Sequence, residues 1–255
     1  MVSVLTEVDA VSIYYQHLSL NQSAIYDHFR RTNQLTRSSN QTFGKETMFR
    51  CTPGMTYMIA NAGGQSTSIA VHEMVRIGVV KENTVVSIYK GGYSMVIKAF
   101  EEFCQNVFTK DVFEKFKSTS KELWLSMKKE FEITTRLFRP SDFSTVRIKF
   151  PPELKTLFEE EKRTLLKTSI SASKFSEDLK ITANKIAISS ALFCKFIRPA
   201  VERTMSNIRL ALSYSAVEGV VIFGQFAELT MFQDEVLTSF KDVKVMLDPA
   251  EKLPL

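Results

Sequence analysis

Cysteine is scarce in this chain. Its three residues, Cys51, Cys104 and Cys194, are far apart and odd in number, with no CxxC pair and no histidine at ligand spacing. That excludes a disulfide framework and a cysteine-based zinc site, and a reduced intracellular protein is the simplest expectation. Long apolar runs are also missing: none reaches the ~18 residues a membrane span needs. The opening MVSVLTEVDAVS has no basic region followed by an apolar one, so secretion is not expected and the localisation expected is cytoplasmic. Asn21-Gln22-Ser23 and Asn40-Gln41-Thr42 fit the glycosylation sequon but read as polar loop residues on the same ground. No stripe of one charge exists either. The 33 Lys+Arg and 28 Asp+Glu residues leave a net +5, spread as short doublets such as Arg30-Arg31 and Lys128-Lys129. Neither nucleic acid nor a membrane is an expected partner. The acidic run Glu159-Glu160-Glu161 is interleaved with Lys155, Lys162 and Arg163, the composition of a solvated helix face rather than a metal site.

What is present suits a globular protein: 255 residues with 44% hydrophobic content can build one large domain or two modest ones. The stretch from Gln22 to Thr52 is rich in Ser, Thr, Asn, Gln and Arg with no sustained period, and reads as a loop or insertion. Three β-like runs follow, Met55–Asn61, Thr67–Met74 and Thr84–Lys90, separated by Gly63-Gly64 and by a polar turn at Lys81-Glu82-Asn83. From Met95 the apolar residues Val96, Phe100, Phe103 and Val107 fall at helical spacing. Val112 to about Lys167 reads as mainly helical, with Trp124, Met127, Phe131 and Leu137 inward, interrupted by a strand at Thr145–Phe150 that Pro151-Pro152 ends. The alternating run Lys185–Ser189 precedes a long helix for which Ser190 is the expected N-cap. Val201, Met205, Ile208 and Leu212 mark its inner face, and Pro199 is expected to kink it or mark its start. Last come a continuous apolar strand at Val217–Phe223, a turn at Gly224, a helix at Leu229–Phe240 and a strand at Val243–Leu247. Such a βαβ ending implies parallel pairing.

The glycine pair in Asn61–Glu73, NAGGQSTSIAVHE, admits two uses. On the residues alone a plain hairpin is the commoner one. Four segments, taken in order, point to the other. Ala60–Glu73 is similar to ADCGGGTVDLTVHE, Val220–Gln233 (VVIFGQFAELTMFQ) to LVGGFAESPLLQ, Phe131–Arg136 (FEITTR) to FEFKKR, and Glu7–Tyr14 (EVDAVSIY) to EPEAASIY. These are motifs of the actin-like ATPase domain of the seventy-kilodalton heat-shock chaperones, and the chain most resembles the divergent heat-shock protein twelve A/B branch. The resemblance runs from about Thr6 to Leu247. It implies an α/β fold, an actin-like ATPase (ribonuclease H-like) lobe with a mixed sheet and an inserted, mainly helical subdomain at about 109–180. Residues 1–21 would be a remnant of the segment that connects two lobes, 22–52 a polar loop or insertion, and 53–255 the second lobe. The family's first phosphate loop has no counterpart, so the chain is expected to be a truncated form or part of a longer product.

The resemblance also implies a nucleotide site for ATP or ADP with magnesium. Asn61, Gly63, Gly64 and Ser66 fall on its phosphate turn, Glu132 and Arg136 beside ribose and base, Gly224 at the adenosine turn and Glu7 in the linking segment. Backbone N–H groups of a glycine turn form a concave nest of donors for phosphate oxygens, and glycine lets the ligand come close. Several positions depart from the pattern. Asn61 replaces an aspartate that holds a magnesium-bound water and positions the attacking water; losing such a group typically costs about 10²–10⁴ in rate. Gln65 replaces the third glycine of the phosphate turn and Gln225 the second glycine of the adenosine turn, so a base would meet the Gln225 side chain unless it points away. Thr135 replaces a lysine, while Ser66 preserves a hydroxyl. The expectation is weak nucleotide binding with hydrolysis near background. A pseudo-ATPase serving as an interaction or regulatory module for a protein partner is the alternative, and a partial gene product remains a third. His72 and Glu73, adjacent on one strand, point to opposite faces and are not expected to share a role. His17 and His28 read as surface residues, and Trp124 as core.

Overall fold

The computed structural model describes residues 8–12, 52–76, 79–182, 184–241 and 243–248. The fold is α/β, with a mixed sheet and helices, and the chain divides into two compact units. One comprises Met1–Lys90, Thr204–Ala227 and Glu235–Leu255; the other comprises Gly91–Arg203 and Glu228–Asp234.

The first unit is built on a five-stranded sheet. Its strands are β1 (Thr56–Ala62), β2 (Ser66–Arg76), β3 (Val79–Lys90), β7 (Gly219–Phe223) and β8 (Lys244–Asp248), in the order β3-β2-β1-β7-β8. β1, β2 and β3 form an antiparallel meander, whereas β7 runs parallel to β1 and β8 parallel to β7. Parallel strands need a crossover, and the chain makes one between β7 and β8 through a 3₁₀ turn (Gln225–Glu228) and a helix (Thr230–Ser239). β7 is buried along its whole length, and β1 everywhere beyond its first residue. This explains why GVVIF reads as an unbroken apolar run, as strands covered on both faces do. Residues 8–12 are helical, and Val8 and Val11 join Tyr57, Ile59, Ala70, Met74, Val221 and Phe223 in one core cluster.

Lys81, Glu82 and Asn83, expected as a turn, lie within β3 instead. Lys81 pairs across from Glu73, with its Nζ 3.5 Å from the carboxylate, and Glu82 pairs across from His72. An edge strand keeps such side chains in water, and the irregular register of β2 against β3 absorbs the mismatch.

The second unit contains α1 (Tyr93–Phe108), α2 (Lys110–Thr119), α3 (Lys121–Leu137), α4 (Pro152–Lys162) and α5 (Leu166–Ser171). A three-stranded antiparallel sheet of β4 (Thr145–Lys149), β5 (Leu179–Thr182) and β6 (Lys185–Ser189), in the order β4-β6-β5, accompanies them. Strand β5, only four residues long, was not legible as a separate run. Pro151 and Pro152 end β4 and open α4, where a proline in the first turn forfeits no helix bond. The apolar period of α1 places Val96, Phe100, Phe103 and Val107 inward as expected. On α3, Trp124, Met127 and Phe131 are buried, but Leu137 is 70% exposed. Six residues beyond Phe131 lies about 240° round the helix, off the inner face. That face continues instead through Thr135 and Phe138, both buried.

The long helix α6 (Ser190–Ser213) runs through Pro199 without interruption, so the proline does not mark its start. Its N-cap is Ser189 rather than Ser190: the Leu192 N–H donates to Ser189 Oγ at 3.1 Å, while the Ser190 hydroxyl donates to the Pro140 carbonyl at 3.3 Å. Val201, Met205 and Ile208 are buried, as their period predicts. Among the described residues no helix is long and apolar enough to cross a membrane.

Candidate functional site

Parallel pairing of β1 and β7 brings the two glycine turns together. Asn61 is in register with Phe223, so Ala62-Gly63-Gly64 and Gly224-Gln225 leave the same end of adjacent strands. That end is the carboxyl end of both, where open α/β sheets generally hold their ligands. Asn61 is only 9% exposed and Gly224 is packed on it. A Cβ at Gly224 would overlap Asn61 Oδ1 and lie 2.6 Å from the Ala62 carbonyl oxygen, and its φ of +100° is one that other residues rarely adopt. The Ala227 N–H donates to the Gly224 carbonyl at 2.9 Å and fixes the start of the 3₁₀ turn. Two strands that pair along their length and a turn with no room for a side chain make this corner rigid.

The Gly63-Gly64 turn closes on itself. The Gly63 N–H donates to the Ser66 carbonyl at 3.0 Å, so it is committed to the hairpin, and the N–H groups of Gly64 and Gln65 are left as the turn's candidates for an anion. Gln65 is exposed and Ser66 half-buried. Gln225, half-buried, extends toward this turn: its Oε1 lies 3.0 Å from the position a Cβ on Gly64 would take. The side chain expected to confront a base is therefore directed at the Gly63-Gly64 turn.

Glu132 and Arg136 lie in the second unit, both on α3. Glu132 is 3.8 Å from Lys128 one turn back. Arg136 pairs with Glu228, Nε to Oε2 at 3.0 Å, and its carbonyl accepts a 2.6 Å hydrogen bond from the Thr230 hydroxyl. Beyond the helix end, Arg139 meets Asp234 in a fork, Nε to Oδ2 at 2.9 Å and Nη2 to Oδ1 at 3.2 Å. The last turn of α3 is thus fastened to segment 228–234. Thr135, buried, is hydrogen-bonded to the Tyr93 hydroxyl, and burial pushes that phenol well above its ordinary range. Glu7 lies outside the described residues, as do His17 and His28.

A further polar chain was invisible to motif reading because its members are remote in sequence. The Ser12 hydroxyl sits 2.6 Å from the Tyr57 hydroxyl and 2.8 Å from His72 Nδ1, while His72 Nε2 is 3.6 Å from Asp9 Oδ1. Ser12, Tyr57 and His72 are fully buried, so the chain ties residues 8–12 to the sheet and offers no open nucleophile. Glu73 turns the other way, to Lys81, as two neighbours on one strand must.

Tested for fit, the glycine corner suits a phosphate better than a divalent cation. Two backbone donors and a glycine face remain, but Asn61 brings no charge, and no group of three His, Cys, Asp or Glu residues among those described could hold a metal. No family profile matches the chain, and no curated protein matches it.

Proposed function

We propose that the chain is a divergent actin-like ATPase lobe of the seventy-kilodalton heat-shock kind, which binds ATP or ADP weakly and hydrolyses ATP at near-background rates. One observation carries the reading: two glycine turns separated by about 160 positions in sequence leave the same end of adjacent parallel strands, with Gly224 packed on Asn61. Parallel pairing by itself puts the two turns at one end; the support for a split nucleotide site is that both turns are glycine turns and that Gly224 leaves no room for a side chain against Asn61. The mixed sheet, an antiparallel meander flanked by parallel strands, is of the kind such a lobe requires. Free thiols at Cys104 and Cys194 suit a reducing compartment and hence the cytoplasm.

Weak binding follows from what the corner has kept and lost. Two N–H donors survive, but the carboxylate that would hold hydrated magnesium is an amide at Asn61, so both metal retention and water activation suffer. A Kd on the order of 0.1–1 mM, about −4 to −5.5 kcal/mol, is what so few contacts support. Titration calorimetry with MgATP and MgADP tests this. Measurable heat that disappears in Gly64→Val, whose branched side chain fills the turn, is the expected result. Binding that is indifferent to Gly64→Val, or robust magnesium-dependent turnover, would overturn the proposal.

A second reading, a pseudo-ATPase retained as an interaction module for a protein partner, is favoured by the Arg136–Glu228 ion pair. A guanidinium already held by a carboxylate is less free to stack on a base. The same titration separates the two: silence with both nucleotides in a folded protein leaves the interaction module.

A further inference from the structure

We propose that Gln225 is a built-in plug of the glycine turn, a side chain that occupies the space a phosphate oxygen would take and must swing aside before an anion can enter. The inference rests on the nucleotide reading for its ligand, but the plug itself concerns only Gln225 and the turn beside it. Its backbone cannot yield: Gly224 is pressed against Asn61 and the Ala62 carbonyl, and the Ala227 N–H holds the Gly224 carbonyl at 2.9 Å. Phe226 and Ala227, the next two residues, are buried, so the 3₁₀ turn is anchored from beneath. Gln225 is half-buried and carries three rotatable bonds on this fixed base. Its carboxamide oxygen lies 3.0 Å from the Cβ position of Gly64, which is the face a bound phosphate would have to approach.

Chemistry suits the part. A carboxamide is neutral and held beside Gly64 by contact alone, so it keeps that space less strongly than a charged anion bound to the turn's N–H groups would. An incoming polyphosphate therefore competes with a weak resident group and not with bulk water. The Gly64 face of the turn is covered in the resting protein and opens to ligands carrying enough negative charge to displace an amide. The opposite role is also chemically allowed, because the carboxamide NH₂ could donate to the ligand, and the sign of one substitution distinguishes the two.

The test uses the full chain and its Gln225→Ala variant, with MgATP and inorganic tripolyphosphate as probes in titration calorimetry, and amide hydrogen exchange by NMR without ligand. If Gln225 is a plug, tripolyphosphate binds the variant about fivefold more tightly, equivalent to ~1 kcal/mol at 1.4 kcal/mol per tenfold. The Gly64 and Gln65 amides also exchange faster in the ligand-free variant. Equal or weaker binding by Gln225→Ala overturns the plug and makes the side chain a bystander or a ligand contact. Should neither protein bind either probe, the nucleotide reading has failed, and exchange decides alone: faster exchange at Gly64 and Gln65 keeps the plug, unchanged exchange removes it. Gln225→Leu, which keeps bulk without an acceptor, should leave the amides protected while tripolyphosphate binding stays as weak as in the parent.

Discussion

Gly224 and Gly64 are both turn glycines beside the same strand end, yet different constraints hold them. At Gly224 the backbone lies at φ +100° and rigid atoms of Asn61 and Ala62 fill the Cβ position; at Gly64 the nearest obstacle is the far end of one flexible side chain, Gln225. Gly224→Ala should therefore cost about 2–4 kcal/mol, from left-handed strain plus overpacking. Gly64→Ala should cost less than about 1 kcal/mol, since Gln225 can rotate away. Urea denaturation of the two variants checks the contrast, and equal losses would mean that the corner is softer than described. His72 poses a titration question at the same scale. Burial pushes its pKa below the ordinary 6.5, against the pull of Asp9 and, more weakly, of Glu82; Ser12 and Tyr57, the other polar neighbours, are uncharged. The unfolded chain, titrating near 6.5, takes up the proton first as pH falls. The stability His72 permits is whole above that value and declines below it, by no more than ~2 kcal/mol at about pH 5. Urea midpoints measured from about pH 8 to 5 should fall more steeply in the parent than in His72→Gln. A shallower fall in the parent would reverse the assignment.

At the scale of elements, α3 shows how a period becomes a core. Phe131 is fully buried and stacks on Phe100 of α1, centroids 3.9 Å apart and planes 6° from parallel, with Phe193 edge-on at 5.8 Å. Helix geometry selects the residue, and the aromatic neighbours determine what its loss leaves behind. Phe131→Ala should destabilise by about 3–5 kcal/mol, because rings on two other helices cannot collapse into the void. Leu137→Ser, on the same helix but 70% exposed, should stay within about 0.5 kcal/mol. Thermal melts of the pair would show which face is inward, and a large loss in Leu137→Ser would restore the inward placement its apolarity suggested. Long periodic helices and apolar strands were legible because their patterns repeat over several turns or residues. The four-residue β5 and the polar first half of β3 were not, since a short strand has almost no period and an edge strand need not be apolar. Of the site, the turn residues could be read from motifs. The Glu228 partner of Arg136 could not, being 92 positions away.

The whole molecule divides unequally in sequence. The second unit is nearly one stretch, Gly91–Arg203, completed by seven residues, Glu228–Asp234, whereas the first draws on three separated segments. A chain of residues 91–203 carries all five helices α1–α5, the β4-β6-β5 sheet and the Phe100–Phe131–Phe193 stack. It should fold by itself, with a helical far-UV spectrum and a cooperative melt. It forgoes the half-exposed Arg139–Asp234 pair, worth ~1 kcal/mol or less, together with the Arg136–Glu228 pair, the Thr230 bond to the Arg136 carbonyl and the buried Leu229 and Phe232, so its melt should lie below the parent's. Residues 1–90 alone should not fold, because β1 would lose β7, its parallel neighbour, and leave an apolar edge unpaired. Circular dichroism of both fragments measures this, and a cooperative melt from residues 1–90 would contradict it.

By itself the sequence determined the alternation of strands and helices, the parallel ending and the inward stripes of α1 and α6, because each is set by spacing within a few residues of itself. It also marked the residues of both glycine turns. Only the tertiary structure decided that these turns meet at one end of adjacent strands, that Gly224 has no room for a side chain, and that Gln225 lies against Gly64. It alone decided, too, that Ser12, Tyr57 and His72 form a buried chain. These are contacts between segments tens to hundreds of residues apart, fixed by strand order and register, and no local pattern encodes which strand a given strand will choose as its neighbour.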